Sequence, residues 1–164
     1  KRGRYAMGRT EALEAFRGRH VRLGAYGDPA AVTASIWTSI CEVAEGWTGY
    51  SHAWHRVSSK PHREFCVASC DTLHETEQAK KKGWIPFYVR RPNDSIPDGF
   101  FECPASKEQE HRLQCIDCRV CSGGEYKGRG APTLLRHGPD WKMQRFDRGV
   151  TLIEQKKAYR SMNW

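Results

Sequence analysis

The chain of 164 residues has no apolar run long enough to cross a membrane, no low-complexity stretch and no internal repeat at solenoid spacing. The first absence argues against a spanning helix and the third against a stacked-repeat architecture. Its opening, Lys1-Arg2-Gly3-Arg4-Tyr5, lacks the apolar stretch of a secretory leader. Acidic residues are scarce: 19 Asp and Glu stand against 27 Lys and Arg, a formal net charge of +8. Seven cysteines could suggest a disulfide scaffold, but the number is odd and four of them form a cluster. They predict reduced thiols in a cytoplasmic setting rather than a disulfide scaffold.

Four of those cysteines carry the strongest signal. Cys103, Cys115, Cys118 and Cys121 follow the spacing C-x11-C-x2-C-x2-C in ECPASKEQEHRLQCIDCRVCSGG. Thiols at two-residue intervals wrap a tight loop and converge on one centre, and Cys103 can complete a four-thiolate shell. Free cysteine prefers apolar burial, whereas this stretch is mostly charged and amide side chains. An unbroken C-x2-C-x2-C run favours a [4Fe–4S] iron–sulfur cluster, with zinc as the alternative. In the zinc case His111 could replace Cys103 in a Cys3His set.

The remaining chain reads as alternating strands and helices. Thr10–Arg17 is a short helix with Glu11 and Glu14 near its N-terminus, ended by Gly18. Strands are expected at Val21–Ala25, Trp47–Tyr50, Phe65–Cys70 and Ile85–Val89. Helices fill Thr33–Ala44, with Ile36, Ile40 and Val43 on one face, and Thr72–Lys82, where Thr72 and Glu75 form a capping box. Pro86 marks a strand start or an edge. Past Gly123 only a terminal helix over Thr151–Ser161 is readable. Cys66 and Cys70 share a strand face but lie roughly 13 Å apart at strand rise, too far to share one ion. Cys41 and the tryptophans Trp37, Trp47, Trp54 and Trp84 are assigned to the core.

Strand–helix–strand repetition predicts an α/β fold, with parallel strands joined by crossover helices in a partial barrel-like sheet. A full eight-stranded barrel needs about 200 residues or more. Three regions follow: the α/β region over 1–102, the cysteine loop over 103–124 and a basic tail over 125–164. In such sheets ligands gather at the carboxyl ends of strands. Those ends carry Asp28, then Thr48, Tyr50, His52 and His55, then Ser69 and Asp71, then Arg90 and Arg91. Asp28, His52 and Asp71 are the candidates for proton transfer; His55, Arg90 and Arg91 are the candidates for gripping an anionic substrate.

Taken together, KRGRY, VRLGAYGDPAAV, GWTGYSHAW, VASCDT, CPAS and CIDCRVCSGG resemble a family of uncharacterised proteins carried by bacteriophages and plasmids, itself similar to radical-SAM-like partial barrels. The likeness spans residues 1–124. It implies that this chain is the C-terminal two-thirds of a longer protein, whose N-terminal segment carries its own cysteine group. Thr33 stands where the family usually has proline. No CxxxCxxC motif is present, so the resemblance does not imply a complete radical-SAM enzyme.

Three functions fit these residues. The leading expectation is a metal-cluster protein of mobile-element origin that binds DNA or RNA. Its basic ends, among them Arg4, Arg9 and Arg129, would follow a phosphate backbone. The second is an enzyme acting on a small nucleotide-like anion, with the metal as a staple. The third is a non-catalytic protein-interaction module.

Overall fold

The computed structural model describes residues 9–126 and 128–162. In chain order its elements are α1 (Arg9–Glu14), β1 (His20–Leu23), α2 (Ala34–Val43), β2 (Gly46–Ser51), β3 (Val67–Cys70), α3 (Leu73–Lys81), β4 (Pro86–Arg90), β5 (Phe100–Glu102), α4 (Cys115–Cys118), β6 (Ala131–Leu135) and α5 (Asp140–Met162). The six strands form one all-parallel sheet in the order β1-β2-β3-β4-β6-β5. The α/β expectation therefore holds, and the four expected strands are neighbours in sequence order.

The last two strands were not legible. β5 is three residues long, and β6 carries Pro132 inside a strand that has a neighbour on each side. The backbone explains how proline is accommodated. Pro132 pairs in register with Phe101 of β5, while the ladder to β4 begins one residue later at Thr133. Because β6 lies between β4 and β5, the segment after residue 125 is built into the same sheet rather than appended to it.

Local chemistry sets the helix ends. Thr72 accepts from the Glu75 amide at 3.2 Å, and the Glu75 carboxylate accepts from the Thr72 amide at 3.2 Å, which completes the capping box of α3. Lys80 and Lys81 occupy its last turn, where cations are stabilised by the negative end of the helix dipole. α2 stops at Val43, and Gly46 opens β2 instead of ending the helix.

Side chains alternate across the strands and divide the interior in two. On one face Leu23, Cys66, Ala68 and Cys70 pack with Cys41 of α2, Ala79 of α3, Trp54 and Trp84. Trp37 and Trp47 pack against the same group, so these residues take the core positions the sequence assigned to them. On the opposite face Val67 and Phe87 pack with Cys121, and Tyr50, Ile85, Val89 and Leu134 surround them. α2 and α3 thus pack on one face, and the cysteine loop packs on the other. No described helix is long and apolar enough to cross a membrane.

Candidate metal centre

The cysteine loop begins as β5 ends. Cys103 continues the strand pairing by donating its amide to the Thr133 carbonyl at 2.7 Å. A 3-10 turn over Lys107–Gln109 reverses the chain, and Glu110 and His111 adopt left-handed backbone with φ near 52°. α4 is one turn whose ends are Cys115 and Cys118, and Arg119 in the left-handed region stops it. The C-x2-C spacing is what places those two sulfurs on the same turn.

Strand β2 then receives the loop. The Gly49 amide donates to the Cys121 carbonyl at 2.9 Å, and the Trp47 indole donates to the Ser122 carbonyl at 3.1 Å. Gly123 follows at φ 69°, pressed on the backbone that leads into β3. A Cβ added there would sit 2.6 Å from the Arg63 carbonyl oxygen and the Cys66 amide nitrogen. The glycine after Cys121-Ser122 is therefore needed for this close approach.

All four cysteines line one small recess against the sheet. Thr48 and Tyr50 of β2 and Pro132 of β6 contribute to its walls, and Arg119 and Val120 lie between the last two cysteines. Cys121 is buried, Cys103 and Cys118 are half-buried and Cys115 is exposed. Burial pushes the Cys103 thiol up; the Ala105 amide opposes this, and nearby Cys115 and Cys118 add to it. Burial pushes Cys121 up strongly; the Tyr50 hydroxyl opposes the shift, while Cys103, Cys115 and Cys118 reinforce it. The four sulfurs therefore share one electrostatic neighbourhood, in which a cation would favour their deprotonation.

Among the described residues, no group of three or more His, Cys, Asp or Glu side chains is arranged to hold a single metal ion. The expectation of convergent sulfurs is met only as far as a common recess. His111 does not line it; the ring is exposed, with Nδ1 2.8 Å from the Ala105 carbonyl oxygen.

The strand-end residues gather as well, with other uses. Asp28 accepts from the Ser51 hydroxyl at 2.8 Å and from the amides of Ala30, His52 and Ala53 at 2.9, 2.7 and 3.0 Å. These bonds hold its carboxyl below the usual range although burial opposes them. The carboxylate ties the end of β1 to the end of β2 and has little capacity left for a proton. Asp71 is different: burial and the Glu75 carboxylate raise it, and nearby His52 opposes that shift. The His52 amide is held by Asp28.

The two arginines expected to grip an anion are paired with carboxylates of the chain itself. Arg90 forms a nearly buried ion pair with Glu102 and also donates to the Asp94 carbonyl at 3.3 Å. Arg91 bridges Asp94 and Glu154, which ties β4 to α5. His55 is exposed, its Nδ1 3.1 Å from the His52 carbonyl oxygen. Arg129 is exposed, Arg9 opens α1, and Arg4 lies outside the described residues, as does Lys127.

Thr48 and Tyr50 are the residues whose role the strand-end argument misplaced. They face the cysteine recess, not a pocket at the carboxyl edge. Two-residue alternation in Gly46-Trp47-Thr48-Gly49-Tyr50 held the signal: Trp47 takes the helix-covered face, leaving Thr48 and Tyr50 for the other. No family model, curated protein or solved structure matches this chain.

Proposed function

We propose that the protein carries a [4Fe–4S] cluster ligated by Cys103, Cys115, Cys118 and Cys121. The observation that supports this reading is the shared recess, which Cys103 lines together with the Cys115, Cys118 and Cys121 run with no competing disulfide. A single tetrahedral zinc at about 2.3 Å from each sulfur would draw the thiolates to about 3.8 Å of one another. A cluster holds its thiolates farther apart and suits the C-x2-C-x2-C run. With four protein thiolates, each iron of the cluster has its ligand and none is open to substrate. The centre then serves as a structural staple or an electron carrier, in a reducing, cytoplasmic setting. Anaerobic reconstitution with iron and sulfide tests this: the account expects a brown protein whose visible absorption bleaches with dithionite.

A second reading, binding of DNA or RNA, is favoured by α5. At 3.6 residues per turn Lys142, Arg145, Arg148 and Lys156 fall on one arc of this helix, and all four are exposed. Asp147 and Glu154 fall on another side and pair with Arg136 and Arg91 of the body. Acids face inward and bases outward, an arrangement suited to a phosphate backbone. Affinity for a mixed-sequence duplex should fall steeply with salt, and reversal to Glu at Arg145 and Arg148 should abolish it while iron content stays unchanged. Affinity insensitive to salt would remove this reading.

A further inference from the structure

We infer that the carboxyl edge of the sheet holds a second site, independent of the cysteine recess. The cavity between β4, the start of α3 and α5 binds a nucleoside monophosphate, whose phosphate replaces the Glu154 carboxylate on Arg91. Nothing in this inference depends on the cluster reading.

The cavity measures about 620 Å³, and Leu73, Tyr88, Arg91, Asp94, Ile153 and Glu154 are among its walls. Small-molecule sites fall at about 300–1,000 Å³, and in parallel sheets they gather at the carboxyl ends of strands. Alternation along β4 separates this cavity from the cysteines. Phe87 and Val89 take the cysteine face, which leaves Tyr88 between them for the other.

Arg91 is held as a fork. Its amide donates to the Asp94 carboxylate at 2.9 Å, and its Nε and one terminal nitrogen donate to the same carboxylate at 3.2 Å. The buried Tyr88 donates its hydroxyl to Asp94 at 3.2 Å, so the aspartate that orients the arginine is itself oriented. The outer edge of the guanidinium is left, and Glu154 closes on it with two bonds of 3.2 and 3.1 Å. Arginine grips a phosphate through the same paired geometry. The Glu154 side chain is 48% exposed, so its release to water costs little. α5 stays attached without it, through the Arg136–Asp147 pair and the buried Val150. The exchange replaces one anion by another, and Arg91 keeps a partner throughout. Asp94 remains, with its charge already matched by Arg91 and Tyr88. Beside the fork, Leu73, Pro97 and Ile153 offer an apolar wall for a base, and Asn93 and Ser95 offer polar groups for sugar hydroxyls.

The test is calorimetric titration of the full chain with the four ribonucleoside monophosphates, the matching nucleosides and inorganic phosphate. At least one monophosphate should bind more tightly than either its nucleoside or phosphate alone. Glu154→Gln removes the internal competitor and should tighten that binding by up to about fivefold, the most a half-exposed ion pair is worth. Nucleoside affinity should not change in this variant. Arg91→Gln should weaken monophosphate binding by about tenfold or more, the value of bonds to a charged group. Should Arg91→Gln fail to fold in thermal unfolding, Glu154→Gln decides, because it keeps both Arg91 and Asp94. No monophosphate bound by either the wild type or Glu154→Gln would overturn the inference. So would Glu154→Gln binding no more tightly than wild type, or phosphate alone binding as tightly as every monophosphate. None of these results bears on iron content, so the cluster reading stands or falls separately.

Discussion

Both faces of the sheet carry cysteine, and their neighbours give it different surroundings. On the helix-covered face Cys41, Cys66 and Cys70 are buried among Leu23, Ala68, Ala79 and tryptophan rings. Burial pushes the Cys66 thiol up to about 12, and Cys70 also rises, so both stay protonated and behave as small apolar side chains. On the other face four cysteines meet around a recess walled by Thr48, Tyr50 and Pro132. There all four cysteines line the same recess. The same residue is filler on one face and candidate ligand on the other, and the pleat of β2 and β3 separates the two sets.

Breaking the ligand face should produce the largest effect. Cys118→Ser is expected to lose the metal and to expose residues 103–126 to hydrogen exchange, because binding energy at such a site is also local folding energy. Cys66→Ala is the matched control: metal content intact, and stability lower by about 1–2 kcal/mol in urea denaturation. Metal loss in both variants, or in neither, would erase the proposed difference between the faces.

The ion pair of Arg90 and Glu102 joins β4 to the end of β5, where Cys103 follows. Its side chains are 10% and 9% exposed. Arg90→Met leaves the Glu102 charge nearly buried and unpaired, so unfolding measurements should show a loss of about 3–5 kcal/mol. Metal affinity should weaken with it if Cys103 depends on that strand for its position. An unchanged affinity would show that the loop holds its own geometry.

Asp28 and Asp71 sharpen the comparison at the carboxyl edge. Asp28 is held below the usual carboxylate range, so its stabilising contribution is present at neutral pH and is lost as pH falls through its folded value. Asp28→Asn should cost about 1–3 kcal/mol at pH 7, because donors lose their charged acceptor. It should also flatten the acid limb of the stability profile. Asp71 is raised, and the sign reverses: its contribution is greatest at low pH and is lost as pH rises through the folded value. Asp71→Asn should therefore stabilise the fold slightly at pH 7. Thermal unfolding across pH reads both, and equal responses would refute their different environments.

What the sequence revealed follows from where its signals are local. The capping box at Thr72, the alternation of His20–Leu23 and the apolar face of α2 are short-range patterns, and the corresponding elements formed close to their expected bounds. β5 and β6 lack such patterns. Three residues cannot display a period, and Pro132 argues against a strand until its register shows where the ladder starts. The cysteine group was legible because its spacing is itself chemistry. Its floor was not, because Tyr50 and Cys121 lie 71 positions apart by their numbers and meet only through the sheet. Arg90 and Arg91 stood out as strand-end cations, yet Glu102 and Glu154, which pair with them, come from later segments, and only Asp94 is local.

The most direct test of the central claim is the metal and sulfide content of the anaerobically purified full chain, read together with its visible spectrum before and after dithionite. The account predicts about four iron and four sulfide per chain, with absorption that bleaches on reduction. One zinc per chain with no visible absorption, or no bound metal after reconstitution, would contradict it.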